Sequence, residues 1–239
     1  MEFNARKCNI MSVTNMESPL TKLYEINNTV LSHVDAATYL GVLIHKTLKF
    51  NDHIADVANK CNRKLGFLKR NLRGCPQRLK QTAYFSLVRS SAEYAGAIWD
   101  PIDTDCLKDQ LQRVQHRAVR WVCGYSPRDR VSVSELMDLL KWPPLARRRK
   151  EQRLTLMYKI VHGEVAITPE DFSIAPAGSR SREAQKHRHK LIEHNQRTDV
   201  RKFSFVNATI RDWNNLPATV AEADSTPIFK GRLAAALLD

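Results

Sequence analysis

The spacing of apolar residues along the chain changes near residue 54. Before that point short apolar runs alternate with turn-prone polar pairs. Cys8–Thr14 is one such run, and Leu23–Val34 places β-forming residues on either side of Asn27-Asn28, a pattern that predicts a hairpin. Tyr39-Leu40-Gly41-Val42-Leu43-Ile44 reads as a compact apolar strand. A glycine inside a strand marks either a bulge or a place where another backbone or a ligand comes close, and Gly41 is open to both readings.

From Ile54 the period becomes helical. Ile54, Val57, Cys61, Leu65, Leu68 and Leu72 recur at three- and four-residue steps, which puts them on one face of a helix that stops near Gly74. Pro76 fits the first turn of a second helix running through Leu79, Ala83 and Leu87 towards Tyr94. A third helix is expected after Asp103-Thr104, with Leu107, Leu111, Val114, Ala118 and Val122 on one side and Gly124 as its stop. Ser132-x-x-Glu135 has the form of a capping box opening a short helix with Leu136, Leu139 and Leu140, ended by Pro143-Pro144. A basic helix then extends from about Leu145 to His162 and closes at Gly163. Residues 164–202 are polar, hold the basic run Arg180 to Lys190 and show no clear period, so they read as a linker or arm. Phe203 to Trp213 is helical, Asn214-Asn215-Leu216-Pro217 is a turn, and Thr226-Pro227 supplies a cap and first-turn proline for a last helix. The expected fold class is mainly α with a small N-terminal β hairpin or sheet (α+β). The expected segments are 1–54, 55–163, 164–202 and 203–239.

Charge narrows the functional classes. Lys and Arg total 38 against 25 Asp and Glu, a formal net charge of +13. Such a surplus favours a polyanionic partner, nucleic acid before an anionic membrane surface, with a merely solvated basic surface as the alternative. The distribution says more than the total. Between Val57 and Ala92 there is no acidic residue, yet there are nine basic ones: Lys60, Arg63, Lys64, Lys69, Arg70, Arg73, Arg78, Lys80 and Arg89. Lys60, Arg63, Lys64 and Arg70 fall off the apolar stripe of the first helix and project to solvent. A solvated helix ordinarily intersperses Glu with Lys; leaving the acids out keeps the positive potential available to a phosphate backbone. Arg147-Arg148-Arg149-Lys150, with Arg153, forms a second dense block, and Arg113, Arg117 and Arg120 share a helix with His116. Both blocks are candidate nucleic-acid contacts.

Other chemistry is sparse. Five cysteines lie far apart without a Cys-x-x-Cys pair, which suits reduced thiols in an intracellular protein, nuclear or cytoplasmic. No apolar run is long enough to span a membrane, and the first thirty residues lack the pattern of a signal peptide. His187-x-His189 with His194 only loosely resembles metal-ligand spacing, and the Lys and Arg around it disfavour a cation. Glu170-Asp171 has no partner placed for acid–base work, and neither a nucleophile motif nor a Gly-rich phosphate loop is present. For Phe67, Tyr84, Tyr94 and Trp99, core packing is the first expectation and base stacking the second.

The order of several short motifs carries a resemblance. Phe3-Asn4-x-x-Lys7-Cys8 precedes Tyr39 to Ile44, then Leu48-Lys49-Phe50-Asn51-Asp52-His53-Ile54 and Lys64-Leu65-Gly66-Phe67-Leu68-Lys69-Arg70-Asn71-Leu72. Glu93-Tyr94-Ala95-x-x-x-Trp99-Asp100-Pro101 follows, then Leu111-Gln112-x-Val114-Gln115-x-Arg117-Ala118, Arg147-Arg148-Arg149 ahead of Leu154, and Ile210-Arg211-Asp212-Trp213-Asn214-Asn215-Leu216-Pro217. Over essentially the whole chain this series resembles the C-terminal part of reverse transcriptases of jockey-like non-LTR retrotransposons. Phe50 stands where many relatives have Trp. The resemblance implies that the Lys7-Cys8 segment ends the palm, that Tyr39, Leu40, Gly41 and Val42 belong to a primer-grip hairpin, and that residues from Asp52 onward form a thumb-like helical bundle. Template–primer nucleic acid and the rest of the polymerase are the implied partners. The family's two Mg²⁺ ions need an aromatic-x-Asp-Asp turn, and no Asp-Asp pair occurs in this sequence. The expectation is therefore a truncated copy, a piece of a longer reading frame or a reused remnant that binds nucleic acid without cofactor or turnover. A helical protein-interaction domain is the alternative.

Overall fold

The computed structural model describes residues 4–14, 16, 22–126, 128–169, 187–193, 195 and 197–237. It is mainly helical, with short strands confined to its N-terminal end, and it divides into two compact units, Met1–Asp56 and Val57–Asp239.

In the first unit strands pair two by two. β1 (Asn9–Ile10) runs parallel to β4 (Ser32–His33), and β2 (Glu25–Ile26) pairs antiparallel with β3 (Thr29–Val30). Asn27 and Asn28, with φ of 49° and 57°, make the tight loop between β2 and β3; two left-handed residues in succession match the twist of the flanking strands. β5 (Ala36–Tyr39) and β6 (Val42–His45) form the third pair, with Tyr39 opposite Val42. The run 39–44 is thus not one strand. Leu40 and Gly41, at φ 46° and 81°, are the two-residue turn of a hairpin, and the glycine is accounted for by that left-handed position rather than by a bulge. His53, 3% exposed near the start of α1 (Asn51–Asn71), pins this hairpin: its Nδ1 accepts the Leu43 N–H at 3.2 Å.

In the second unit α1 buries Val57, Cys61, Leu65 and Leu68, the face anticipated from their spacing. α2 (Gln77–Ala83) runs through a π-helical stretch, Tyr84–Arg89, into α3 (Ser90–Glu93). The wider π turn shifts which residues face inward. Tyr84, Val88 and Ala92 are buried, while Leu79 and Leu87 lie on the surface. α4 (Gly96–Trp99) follows the left-handed Ala95, and α5 (Asp105–Cys123) ends at Gly124, φ 81°. The α5 face Leu111, Val114, Ala118 and Val122 is buried; the Trp142 ring, after α6 (Val133–Leu140), stacks on Tyr84 at 4.5 Å. Ser132 does precede α6, but its hydroxyl shares a 2.6 Å hydrogen bond with Ser134 and caps no backbone N–H, so no capping box forms. α7 (Leu145–Val161) packs against α4, α9 (Phe205–Asn214) and α11 (Thr226–Ala236). With α10 (Ala218–Ala221) these close a second core around Leu154, Met157, Tyr158, Ile210, Trp213 and Phe229, and the short α8 (Asp199–Lys202) precedes α9 without a buried residue.

Part of the expected 164–202 linker belongs to that core. His187, Lys190 and Leu191 are buried, and the Asn214 side chain bonds both backbone groups of Leu191, at 3.0 and 2.8 Å. The Trp213 indole N–H donates to the His189 carbonyl at 2.7 Å. A polar stretch without period can still be fixed by hydrogen bonds to side chains more than twenty residues away, which local patterning does not register.

Candidate nucleic-acid interface

The outward face of α1 gathers the first basic block. Lys60, Arg63, Lys64 and Arg70 are exposed along it, Arg73 lies exposed just beyond its end, and Lys69 is half-buried on its flank. At 1.5 Å per residue the stretch from Lys60 to Asn71 is about 16 Å long. α5 adds to it: Arg117 donates to Asn62 Oδ1 at 3.0 Å. Lys69 lies close enough to the Arg117 guanidinium for its pKa to fall below the usual lysine value, burial being the larger cause and Arg117 the next. The Lys64 ammonium donates to the Ser91 hydroxyl at 2.5 Å. Among the described residues none of Arg63, Lys64, Lys69, Arg70 and Arg73 pairs with a carboxylate. Positive charges held side by side without an acid repel one another, and a phosphate backbone laid along them would relieve that repulsion. The end of the acid-free run is different. The Arg89 guanidinium sits 3.8 Å from the Phe85 ring and 3.7 Å from Glu93, and Lys80 lies 5.9 Å from the Trp121 ring.

The second block is engaged by partners within the chain. Arg149 is fully buried, with Nε 2.7 Å from Asp100. Arg153, also buried, bridges Asp100 at 3.0 Å and Asp212 at 3.2 Å. Lys150 pairs with Asp212 at 2.9 Å, Arg148 forks onto Glu93, and Arg147 bonds Glu151 at 3.1 Å and the Ala234 carbonyl. Of the expected contacts, Arg149 is closed off from solvent, whereas Arg147, Arg148 and Lys150 are part-exposed and paired within the chain. These side chains fasten α7 to α3, α4 and α9. Their acids come from as far as 59 residues along the chain, so a count of local charge could not find them. Asp100, ahead of Pro101, was legible only as part of a motif. Arg120 has an internal role too, donating to the Ser126, Asp129 and Val131 carbonyls.

The remaining candidates separate cleanly. Tyr39 and Leu40, 67% and 73% exposed, form the tip of the β5–β6 hairpin, and Val42 is buried beneath it. Tyr84 and Trp99 are core residues, but Phe67 and Tyr94 are exposed, against the expectation of packing. His187 shares a 3.1 Å hydrogen bond with the Trp213 carbonyl, and the His189 ring lies 4.9 Å from His162. His194 and the pair Glu170-Asp171 lie outside the described residues. Among the described residues no group of three or more His, Cys, Asp and Glu could hold a metal ion. Among them, too, no helix is long and apolar enough to cross a membrane. Comparisons with protein-family models, with curated proteins and with solved structures find no match.

Proposed function

We propose that this chain is the template–primer-binding part of a non-LTR retrotransposon RNA-directed DNA polymerase, holding a nucleic-acid backbone along the outer face of α1 without catalysing turnover itself. The observation that carries the reading is the acid-free face: Arg63, Lys64, Lys69, Arg70 and Arg73 without a carboxylate partner among the described residues, joined by Arg117. The motif order from Tyr39 to Pro217 supports the assignment to the polymerase. Because phosphate contacts carry no base information, sequence preference is expected to be slight.

The test is fluorescence anisotropy with a labelled RNA–DNA duplex across a salt series. Neutralising about four phosphates gives a slope of log K against log salt near −3.6, about a hundredfold loss of affinity between 50 and 200 mM salt. Arg63→Glu with Arg70→Glu should weaken binding at least tenfold more than Arg211→Glu with Lys230→Glu, which changes net charge equally on exposed positions of α9 and α11. Equal losses from the two pairs, or binding indifferent to salt, would overturn the proposal.

One observation favours a second reading, a protein-docking role for residues 1–50. Among the described residues the strands pair only two by two, which leaves open edges able to accept partner strands. A monodisperse monomer that melts cooperatively would count against it.

A further inference from the structure

We propose that the outer face of α1 stacks an unpaired base on Phe67, so that the nucleic acid it takes includes single-stranded nucleotides; the inference rests on the backbone binding proposed for the same face. Phe67 is 54% exposed, although the inward face of its own helix is occupied by Leu65 and Leu68, both almost fully buried. A single exposed apolar residue is ordinary. Its neighbours are what distinguish it. On a helix the residues three and four positions away are the lateral neighbours. For Phe67 these are Arg63 and Lys64 one turn before, and Arg70 and Asn71 one turn after, so four polar or cationic residues occupy the neighbouring positions of one exposed aromatic residue. Asn71 is held there by its own side-chain amide, which donates to the Phe67 carbonyl at 2.8 Å.

Gly66 is the second, independent observation. Glycine in a helix interior is among the least favourable choices, and is usually kept where backbone conformation or close packing demands it. Neither applies here. Gly66 lies inside α1, and a Cβ added to it would meet only Arg70 Nη1, at 3.6 Å, an ordinary contact with the end of a flexible side chain. What the missing side chain leaves is an open notch beside Phe67, bordered by Arg70. A flat aromatic surface, an open notch alongside it and guanidinium groups one turn to either side are the elements of a single-strand site. The base stacks on the ring while the arginines take the flanking phosphates. A paired base offers no free face to Phe67, so a continuous duplex would use the cations alone.

The experiment uses the full chain and three probes of equal charge per strand: a labelled oligothymidylate, the same length of abasic strand, and a blunt duplex. Wild type should bind oligothymidylate more tightly than the abasic strand. Phe67→Ala should lose about 5- to 100-fold on oligothymidylate and nothing on the other two, and Phe67→Trp should restore the loss. Gly66→Ala should weaken oligothymidylate binding selectively while the protein melts at an equal or higher temperature. If Phe67→Ala binds oligothymidylate like wild type while salt-dependent binding persists, stacking is refuted and backbone binding stands. If no probe binds in a salt-dependent way, backbone binding fails and stacking fails with it.

Discussion

Asp100→Asn removes one negative charge from between two buried guanidiniums. In the native chain the Asp100 carboxylate, 7% exposed, takes Arg149 Nε at 2.7 Å on one oxygen and Arg153 Nε at 3.0 Å on the other. Arg153 keeps its Asp212 pair through Nη2 when Asp100 is neutralised, although its Nε makes no hydrogen bond, whereas Arg149 loses its acid partner and its Nη1 and Nη2 have no hydrogen-bond partner among the described residues. The substitution therefore strands one fully buried cation. Breaking a buried pair from one side costs about 3–5 kcal/mol, and the surviving Asp212 contact argues for the lower end, about 3 kcal/mol. In a chain of this size each kcal/mol moves Tm by about 2–4 °C, so a fall of about 6–12 °C is expected in thermal melts followed by circular dichroism. Lys150→Ala, on the same helix and 37% exposed, serves as the control; its pair with Asp212 is worth about 0–1 kcal/mol. An Asp100→Asn protein that melts with wild type and binds nucleic acid more tightly would refute the internal role of this block and return Arg149 to the interface.

Further outcomes follow from the same structure. The His189 pKa lies below its ordinary 6.5, first through burial and then through His162 and Arg188, with His187 adding to the repulsion and Glu222 opposing it. Below 6.5 the unfolded chain thus binds more protons than the folded one, and stability falls as pH drops from 6.5 through the folded value; melts at pH 7.5 and 5.5 should differ, and His189→Gln should reduce the difference. Cys61 is fully buried and its thiol is pushed up to about 11, so at neutral pH it should alkylate far more slowly than the exposed Cys106, as mass spectrometry of labelled peptides would show; equal rates would contradict its burial. Leu40→Asn, at φ 46°, replaces a residue that resists the left-handed region with one that tolerates it, and should slow amide exchange across Ala36–His45 by stabilising the hairpin by about 1 kcal/mol.

Where the sequence was legible, one physical signal acted alone. The α1 and α5 faces were readable because burial imposes a helical period on Cys61, Leu65 and Leu68 and on Leu111, Val114 and Ala118. The Asn27-Asn28 hairpin was readable because few residues accept two left-handed positions in a row. The Leu40-Gly41 turn was missed because a leucine stands at one of them, inside an apolar run. The π turn at Tyr84–Arg89 leaves no mark in local spacing, so the buried side of that stretch and of α3 was not predicted. Charge behaved in the same way. The block before Gly74 and the block after Pro144 look alike as strings, yet distant acids neutralise the second, while among the described residues Arg63, Lys64, Lys69, Arg70 and Arg73 of the first pair with none. Absence of local acid is informative only where tertiary structure brings none.

The most direct test is lysine acetylation footprinting, with and without a saturating RNA–DNA template–primer carrying a single-stranded overhang. Lys64 and Lys69 should be protected by the nucleic acid, while Lys150, held by Asp212, and Lys230, on α11, should react at the same rate in both samples. Protection of Lys150 without protection of Lys64 and Lys69 would contradict the assignment of binding to the outer face of α1.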